Sequence, residues 1–232
     1  MPPEPLPAPS APPPPVPGQV PPRARTVHLV THPEATHHVD GIVGGQHDSD
    51  LTPAGARAAD RLGAVLRDRI PGAAGTGIVA SDLQRTRRTA DAIGRALDVV
   101  PGYDTRLREK SYGVAEGRPQ EWLDARFVPP PRVGDRLRHH EGVDGAETRL
   151  DLAIRVYTAT STALASHDGD HLVIVTHGFA ATFVVAAWIG MPVEAVGHVT
   201  FPVPSGSITT LREDAFFGNR GVVSLGEVVH PL

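Results

Sequence analysis

Two histidines and one arginine have the types and positions to carry chemistry. The stretch from Thr26 to Glu34 reads TVHLVTHPE, with Val27, Leu29 and Val30 as a brief apolar run before Thr31, His32 and Pro33. A run of that kind forms a buried strand. Proline cannot continue a central strand, so His32 is handed to a loop at the strand's carboxyl end, where open α/β sheets bind ligands. A second run, His171 to Thr176, ends in His177-Gly178. A third, Gly77 to Ala80, ends in Ser81-Asp82 and runs into a helix carrying Arg85. In a parallel sheet the carboxyl ends share one edge, so these groups converge. Two imidazoles, a guanidinium able to grip two oxygens, and helix N-termini offering amides make up a phosphate site. One neutral imidazole attacks phosphorus and splits a hard step into two easier ones, and the other stabilises charge on the equatorial oxygens. Each residue taken alone also fits a plain polar strand end; the set is what points to chemistry.

The elements that would position these groups follow in order. Thr52-Pro53 opens a helix, a threonine cap with proline at the first position, and Ala56, Ala59, Leu62, Gly63, Val65 and Leu66 give it an apolar face to about Arg69. Ser81-Asp82 is expected to cap a second helix, Leu83 to Leu97. Val99-Val100 is a candidate third strand. Gly145 to Ser166 reads as a helix with Leu150, Ala153, Ile154, Tyr157 and Leu164 inward, and Phe179 to Ile189 as another. Ser207 to Leu211 and Val222 to Leu225 look like closing antiparallel strands. Strands alternating with capped helices predict an α/β fold, a three-layer sandwich whose mostly parallel sheet carries helices on both faces.

Composition narrows the function classes. The chain has 232 residues, net charge −4 and no cysteine. That length supports one domain with a sizeable core, expected over 25–232. No basic block asks for nucleic acid, no apolar run spans a bilayer, and disulfide and thiol chemistry are excluded. The 12 histidines show no zinc-protease spacing, so no metal is assigned. Half of the 24 prolines lie between Pro2 and Pro22, so residues 1–24 are expected to be a disordered or polyproline-II tail. That tail lacks the charged start and apolar centre of a secretory signal, and a cytoplasmic protein is the expectation. Val184, Val185, Trp188 and Ile189 suit either the core or a homodimer face, with core the expectation.

With these residues in view, the chain resembles the histidine phosphatase superfamily, the phosphoglycerate mutase-like family, over roughly 26–230. LVTHPE stands where the family has its Arg-His-Gly signature. DSDLTPAG, Asp48 to Gly55, is similar to the stretch opening the first helix. ASDLQRTRRTA, Ala80 to Ala90, is similar to the segment bearing the family's second arginine, here Arg85. LREKSYGVAEG, Leu107 to Gly117, resembles the acid segment, with the proton donor on Glu109, and VTHG, Val175 to Gly178, the second-histidine motif. The resemblance implies a phosphoglycerate mutase-like fold and phosphomonoester hydrolysis without cofactor or metal. It implies His32 as the nucleophile that becomes phosphohistidine. Arg85 and His177 would bind the phosphoryl group, with Ser81 and Gly178 beside them, and Glu109 would serve as general acid and base. Glu147 is read as structural.

The chain departs from the family at its first arginine, where Thr31 stands, and Pro33 replaces the usual glycine. Losing a charged donor costs roughly a hundredfold or more in rate. His38, with His37 beside it, is a candidate replacement if protonated. Glu116-Gly117 looks more like the family's phosphatases, whereas Tyr112-Gly113 also occurs in its mutases. The leading expectation is a phosphatase acting on a small metabolite. The alternatives are a diverged biosynthetic enzyme doing non-hydrolytic acid/base chemistry on a carboxylate or acyl phosphate, and a non-catalytic binding module. The partner expected is a small phosphorylated or carboxylated molecule. The long 101–145 segment is the expected lid, with Trp122, Phe127, Arg132, Arg136, Arg138, His139 and His140 as candidates for the substrate wall. Arg87 or Arg88 would either reach a substrate carboxylate or line a solvated helix face.

Overall fold

A computed structural model describes residues 24–72 and 75–229; the expectation for the Pro-rich tail lies outside these apart from residue 24. The elements are β1 (Arg25–Thr31), α1 (Thr36–Val39), α2 (Pro53–Arg69), β2 (Thr76–Ala80), α3 (Gln84–Leu97), β3 (Gly102–Tyr103), α4 (Gln120–Asp124), α5 (Arg149–Ser166), β4 (His171–Thr176), α6 (Gly178–Trp188), β5 (Ser207–Glu213) and β6 (Arg220–Val228). They build one six-stranded sheet in the order β3-β2-β4-β1-β5-β6. The first four strands in that order are parallel, and β5 and β6 close it antiparallel.

Side-chain alternation along a strand explains the three layers. Leu172 and Ile174 of β4, with Val27 and Leu29 of β1, pack against Phe183, Val184 and other residues of α5 and α6. Val173 and Val175, with Val30 of β1, face Leu62 and Leu66 of α2 and Ile93 and Leu97 of α3. The predicted three-layer α/β architecture is the one observed. Val184, Val185 and Trp188 are core, and Ile189 is half exposed.

Local chemistry sets the helix ends. Thr52 Oγ1 accepts from the Gly55 amide at 3.0 Å and donates to Glu34 Oε1 at 2.6 Å, so α2 starts where predicted and ties down the loop after Pro33. A Cβ at Gly55 would sit 2.0 Å from the Glu34 carbonyl oxygen, which is why only glycine fits there. The long helix begins at Arg149, with Thr148 and Asp151 forming a capping box.

Three readings need correction. Ser81-Asp82 does not cap α3: Asp48, from a distant loop, accepts the Gln84 amide at 2.7 Å, and Ser81 and Asp82 have other partners. The third strand is Gly102–Tyr103 rather than Val99-Val100, because Asp98 turns the chain through a left-handed conformation at φ 55° and delays pairing. Ile154 is 52% exposed; the inward stripe of α5 is Leu152, Val156, Ala159 and Thr160, and a position two residues from Leu152 points the other way.

Candidate active site

The sheet register brings the histidines together. Thr31 pairs with Thr176 across β1 and β4, so His32 and His177 leave adjacent strands side by side, with ring centroids 5.1 Å apart. Ala80 pairs with Val175, which sets Ser81 on the other flank. These ends open on a cavity of about 510 Å³ lined by Thr31, His32, His38, Arg85, Glu109 and Gly178, among others.

His32 has a defined tautomer. Its Nδ1 lies 2.7 Å from the Pro33 carbonyl oxygen, which only accepts, so Nδ1 carries the hydrogen and Nε2 keeps its lone pair. Arg85 Nε–H donates to that Nε2 at 3.2 Å. Arg85 is itself 1% exposed and is held by the carbonyls of Gly45 at 2.6 Å and His47 at 2.8 Å. Burial pushes its guanidinium down to about 10, against the opposing charges of Glu109, Asp48 and Glu116; it stays charged at neutral pH.

His177 sits fully buried at the start of α6. Ser81 Oγ is 2.9 Å from its Nε2 and also accepts the Leu83 amide at 3.4 Å. The Nδ1 of His177 is buried without a partner. A buried polar nitrogen of that kind is costly unless something pairs with it. Ser81 thus reaches the site through His177, and it is 0% exposed.

Glu109 lies at the amino end of α6. Oε2 accepts from the Phe179 amide at 2.9 Å, and Oε1 from Ala180 at 3.1 Å and Lys110 at 2.9 Å, the position a carboxylate favours against the helix dipole. Gly178, beside it, has open space where a Cβ would be.

Thr31 lines the cavity, but its hydroxyl donates to the Pro204 carbonyl at 2.6 Å and meets Ser207 Oγ at 3.2 Å. Its single hydrogen is therefore committed away from any ligand. His38 stacks on His32 at 5.6 Å and lies 4.0 Å from His37. These histidines are not cations at neutral pH. Burial first, and Arg85 second, hold His32 and His177 well below the ordinary imidazole range. Burial and then His38 push His37 down to about 3, and burial and Arg85 lower His38 against the pull of Glu34. Without a bound anion, His37 and His38 therefore face the cavity as neutral rings.

The basic lid residues do not reach the cavity either. Arg138 pairs with Asp135, Arg136 donates to the Gly197 carbonyl, His139 bonds to the Val128 carbonyl, and Arg132 and His140 are exposed. Trp122 is covered by the guanidiniums of Arg118 and Arg126, and Phe127 is half exposed. Arg87 lies over the Tyr103 ring and Arg88 pairs with Asp50.

Sequence reading missed Arg155 on α5. Its guanidinium donates to the carbonyls of Arg106, Arg108 and Glu109 at 2.6–2.9 Å and grips both oxygens of Glu147. Glu147 in turn accepts the Ser111 amide at 2.7 Å, the structural role expected of it. Glu116 closes the same loop by accepting the amides of Gln46 and Tyr112.

The comparisons agree with this geometry. The histidine phosphatase superfamily (branch 1) matches residues 27–219, and the chain belongs to that superfamily. It is 30% identical over 205 residues, 88% of this chain and 94% of the relative, to a probable phosphoglycerate mutase, GpmB, of Salmonella paratyphi C. Among solved structures, a mycobacterial glucosyl-3-phosphoglycerate phosphatase superposes with TM-score 0.70 at 27% identity, covering 88% of this chain and all of that one. YhfR of Bacillus stearothermophilus does so with TM-score 0.71 at 27% identity, covering 89% and 99%. The family supports phosphatase-type chemistry on the phosphoglycerate mutase-like fold. Among the described residues no helix is long and apolar enough to cross a membrane.

Proposed function

We propose that the chain hydrolyses a small phosphomonoester through a phosphohistidine on His32. The observation that carries this reading is the pairing of a fixed Nδ1–H on Pro33 with an Nε2 lone pair held against Arg85 at 3.2 Å. The phosphoryl group enters with its oxygens toward Arg85, and the Arg85 Nε–H turns its hydrogen bond from His32 Nε2 to a phosphoryl oxygen. Nε2 then forms the P–N bond as the ester P–O bond breaks. The Pro33 carbonyl receives the positive charge developing on the ring, and the partnerless Nδ1 of His177, when it carries the ring hydrogen, is the group offered to the equatorial oxygens. Glu109 is the carboxyl placed to pass a proton to the leaving oxygen. It then accepts one from the water that attacks phosphorus and releases phosphate from His32.

The solved glucosyl-3-phosphoglycerate phosphatase is described in complexes with VO3 and with inorganic phosphate, which supports an oxyanion at the matching place here. The test is an assay on a panel of small phosphate esters with His32→Ala alongside. Turnover that vanishes in the variant is expected, and turnover that survives would overturn the reading.

A second reading, acid/base chemistry without a phosphoenzyme, is favoured by one observation. Thr31 turns its hydroxyl to Pro204, leaving Arg85 as the single guanidinium among the described residues lining the cavity. Activity on phosphate esters present only in Thr31→Arg would select it.

A further inference from the structure

We infer that the substrate is a phosphate ester of an uncharged, partly apolar alcohol, with no second anionic group; this rests on the phosphatase reading above. The cavity lining away from the two histidines and Arg85 carries this. Besides His32, Arg85 and Glu109 the lining includes Ile42, Val43, Tyr112, Gln120 and Leu123, and its two further histidines, His37 and His38, are held below the ordinary imidazole range by burial. Val43 and Leu123 belong to a small apolar cluster with Ala115 and Val143, against which Tyr112 and Trp122 pack. This wall offers carbon surface, a phenol and a neutral amide. A carboxylate placed there would lose water and gain no cation, which is unfavourable.

The basic residues nearby are committed elsewhere. Lys110 is 1% exposed, pairs with Glu141 and lies 4.3 Å from the centre of the Tyr112 ring. Arg108 is doubly bonded to Asp82 at 2.6–2.7 Å. Arg118 and Arg126 cover the faces of Trp122 at 4.8 and 4.1 Å. The inner end has the same character. Arg85 is the one guanidinium there, and Thr31 has replaced a second. A site with one cation against a phosphoryl group has no charge left for another anion, while apolar contact with the leaving alcohol supplies the remaining affinity.

The experiment compares three esters on the native protein: cyclohexyl phosphate, glycerol 3-phosphate and 3-phosphoglycerate. The last two differ chiefly in a CH₂OH group against a carboxylate. The expected order of kcat/KM is as named, with cyclohexyl phosphate about tenfold or more above 3-phosphoglycerate. Gln120→Arg places a cation on the wall and is expected to raise the ratio of 3-phosphoglycerate to cyclohexyl phosphate by about tenfold. Binding of the same esters is measured by titration calorimetry. If no ester turns over but binding keeps the expected order, the phosphatase reading fails and the ligand class stands. If 3-phosphoglycerate binds or reacts as well as glycerol 3-phosphate, or Gln120→Arg leaves the ratio unchanged, the inference is wrong.

Discussion

Arg85 points its Nε–H at Nε2 of His32 across 3.2 Å, so under the proposed phosphatase reading the group that would receive the phosphoryl oxygens also guards the nucleophile's lone pair until substrate displaces it. The guanidinium is aimed by the Gly45 and His47 carbonyls. Arg85→Ala is expected to lower kcat/KM by roughly 10²–10³-fold. Arg85→Lys should recover little, because an ammonium cannot hold both carbonyls and a phosphoryl oxygen in one plane. Steady-state kinetics on one ester with both variants checks this.

Thr31→Arg is expected to raise activity. Thr31 is 3% exposed and borders the cavity, so a longer side chain is expected to extend into the space proposed for phosphate. A second guanidinium is expected to increase kcat/KM by about tenfold or more and to tighten inhibition by inorganic phosphate. Unchanged kinetics in a folded variant would show that the lost arginine is not what limits this site.

The depressed histidines give a definite pH dependence. His32 and His177 are held well below 6.5, His37 at about 3 and His28 at about 4. In the unfolded chain each takes up a proton near its ordinary value, so below about pH 6.5 the unfolded state binds more protons. Their contribution to stability is complete above that value and falls as pH drops toward the folded values. Chemical denaturation from pH 7.5 to 4.5 is expected to show stability decreasing steadily, and the acid limb of kcat/KM should lie below 6.5, since His32 stays neutral.

His28 accounts for part of that loss and lies away from the chemistry. It is 3% exposed on β1, stacks on His171 at 5.8 Å, and has both ring nitrogens buried without partners. His28→Leu removes two unsatisfied polar atoms and is expected to stabilise the fold by about 1–2 kcal/mol at pH 7. It should flatten the denaturation profile between pH 6.5 and 4.5 without changing turnover.

Arg155 is expected to act through the loop that carries Glu109. Arg155→Ala frees three carbonyls and breaks the clasp on Glu147, and kcat is expected to fall by roughly 10–100-fold with little change in phosphate inhibition. A loss confined to KM would place Arg155 in binding instead.

How much was legible in the sequence follows from how local each signal is. His32, Arg85 and His177 were readable because each directly follows or opens a regular element, and a parallel sheet must put those ends on one edge. The Thr52-Pro53 start was readable because cap and helix adjoin. Ser81 was misread as a cap because its partner, His177, is on another strand. Asp48, the group that does meet the Gln84 amide, comes from a distant loop. Arg155 gave no signal, since its carbonyl partners carry no side-chain pattern. The basic candidates of the lid misled because Arg136 and Arg138 bond within the lid or to a neighbouring loop, while the wall comes from 41–45 and from Glu109, Tyr112, Gln120 and Leu123 of the same 101–145 segment.

The most direct measurement is to quench single-turnover reactions with alkali and map phosphate by mass spectrometry. An acid-labile, alkali-stable phosphate is expected on the peptide containing His32, formed faster than free phosphate appears and absent in His32→Ala. Release of phosphate with no modified peptide at any time, or with phosphate on another residue, would contradict the proposed phosphohistidine.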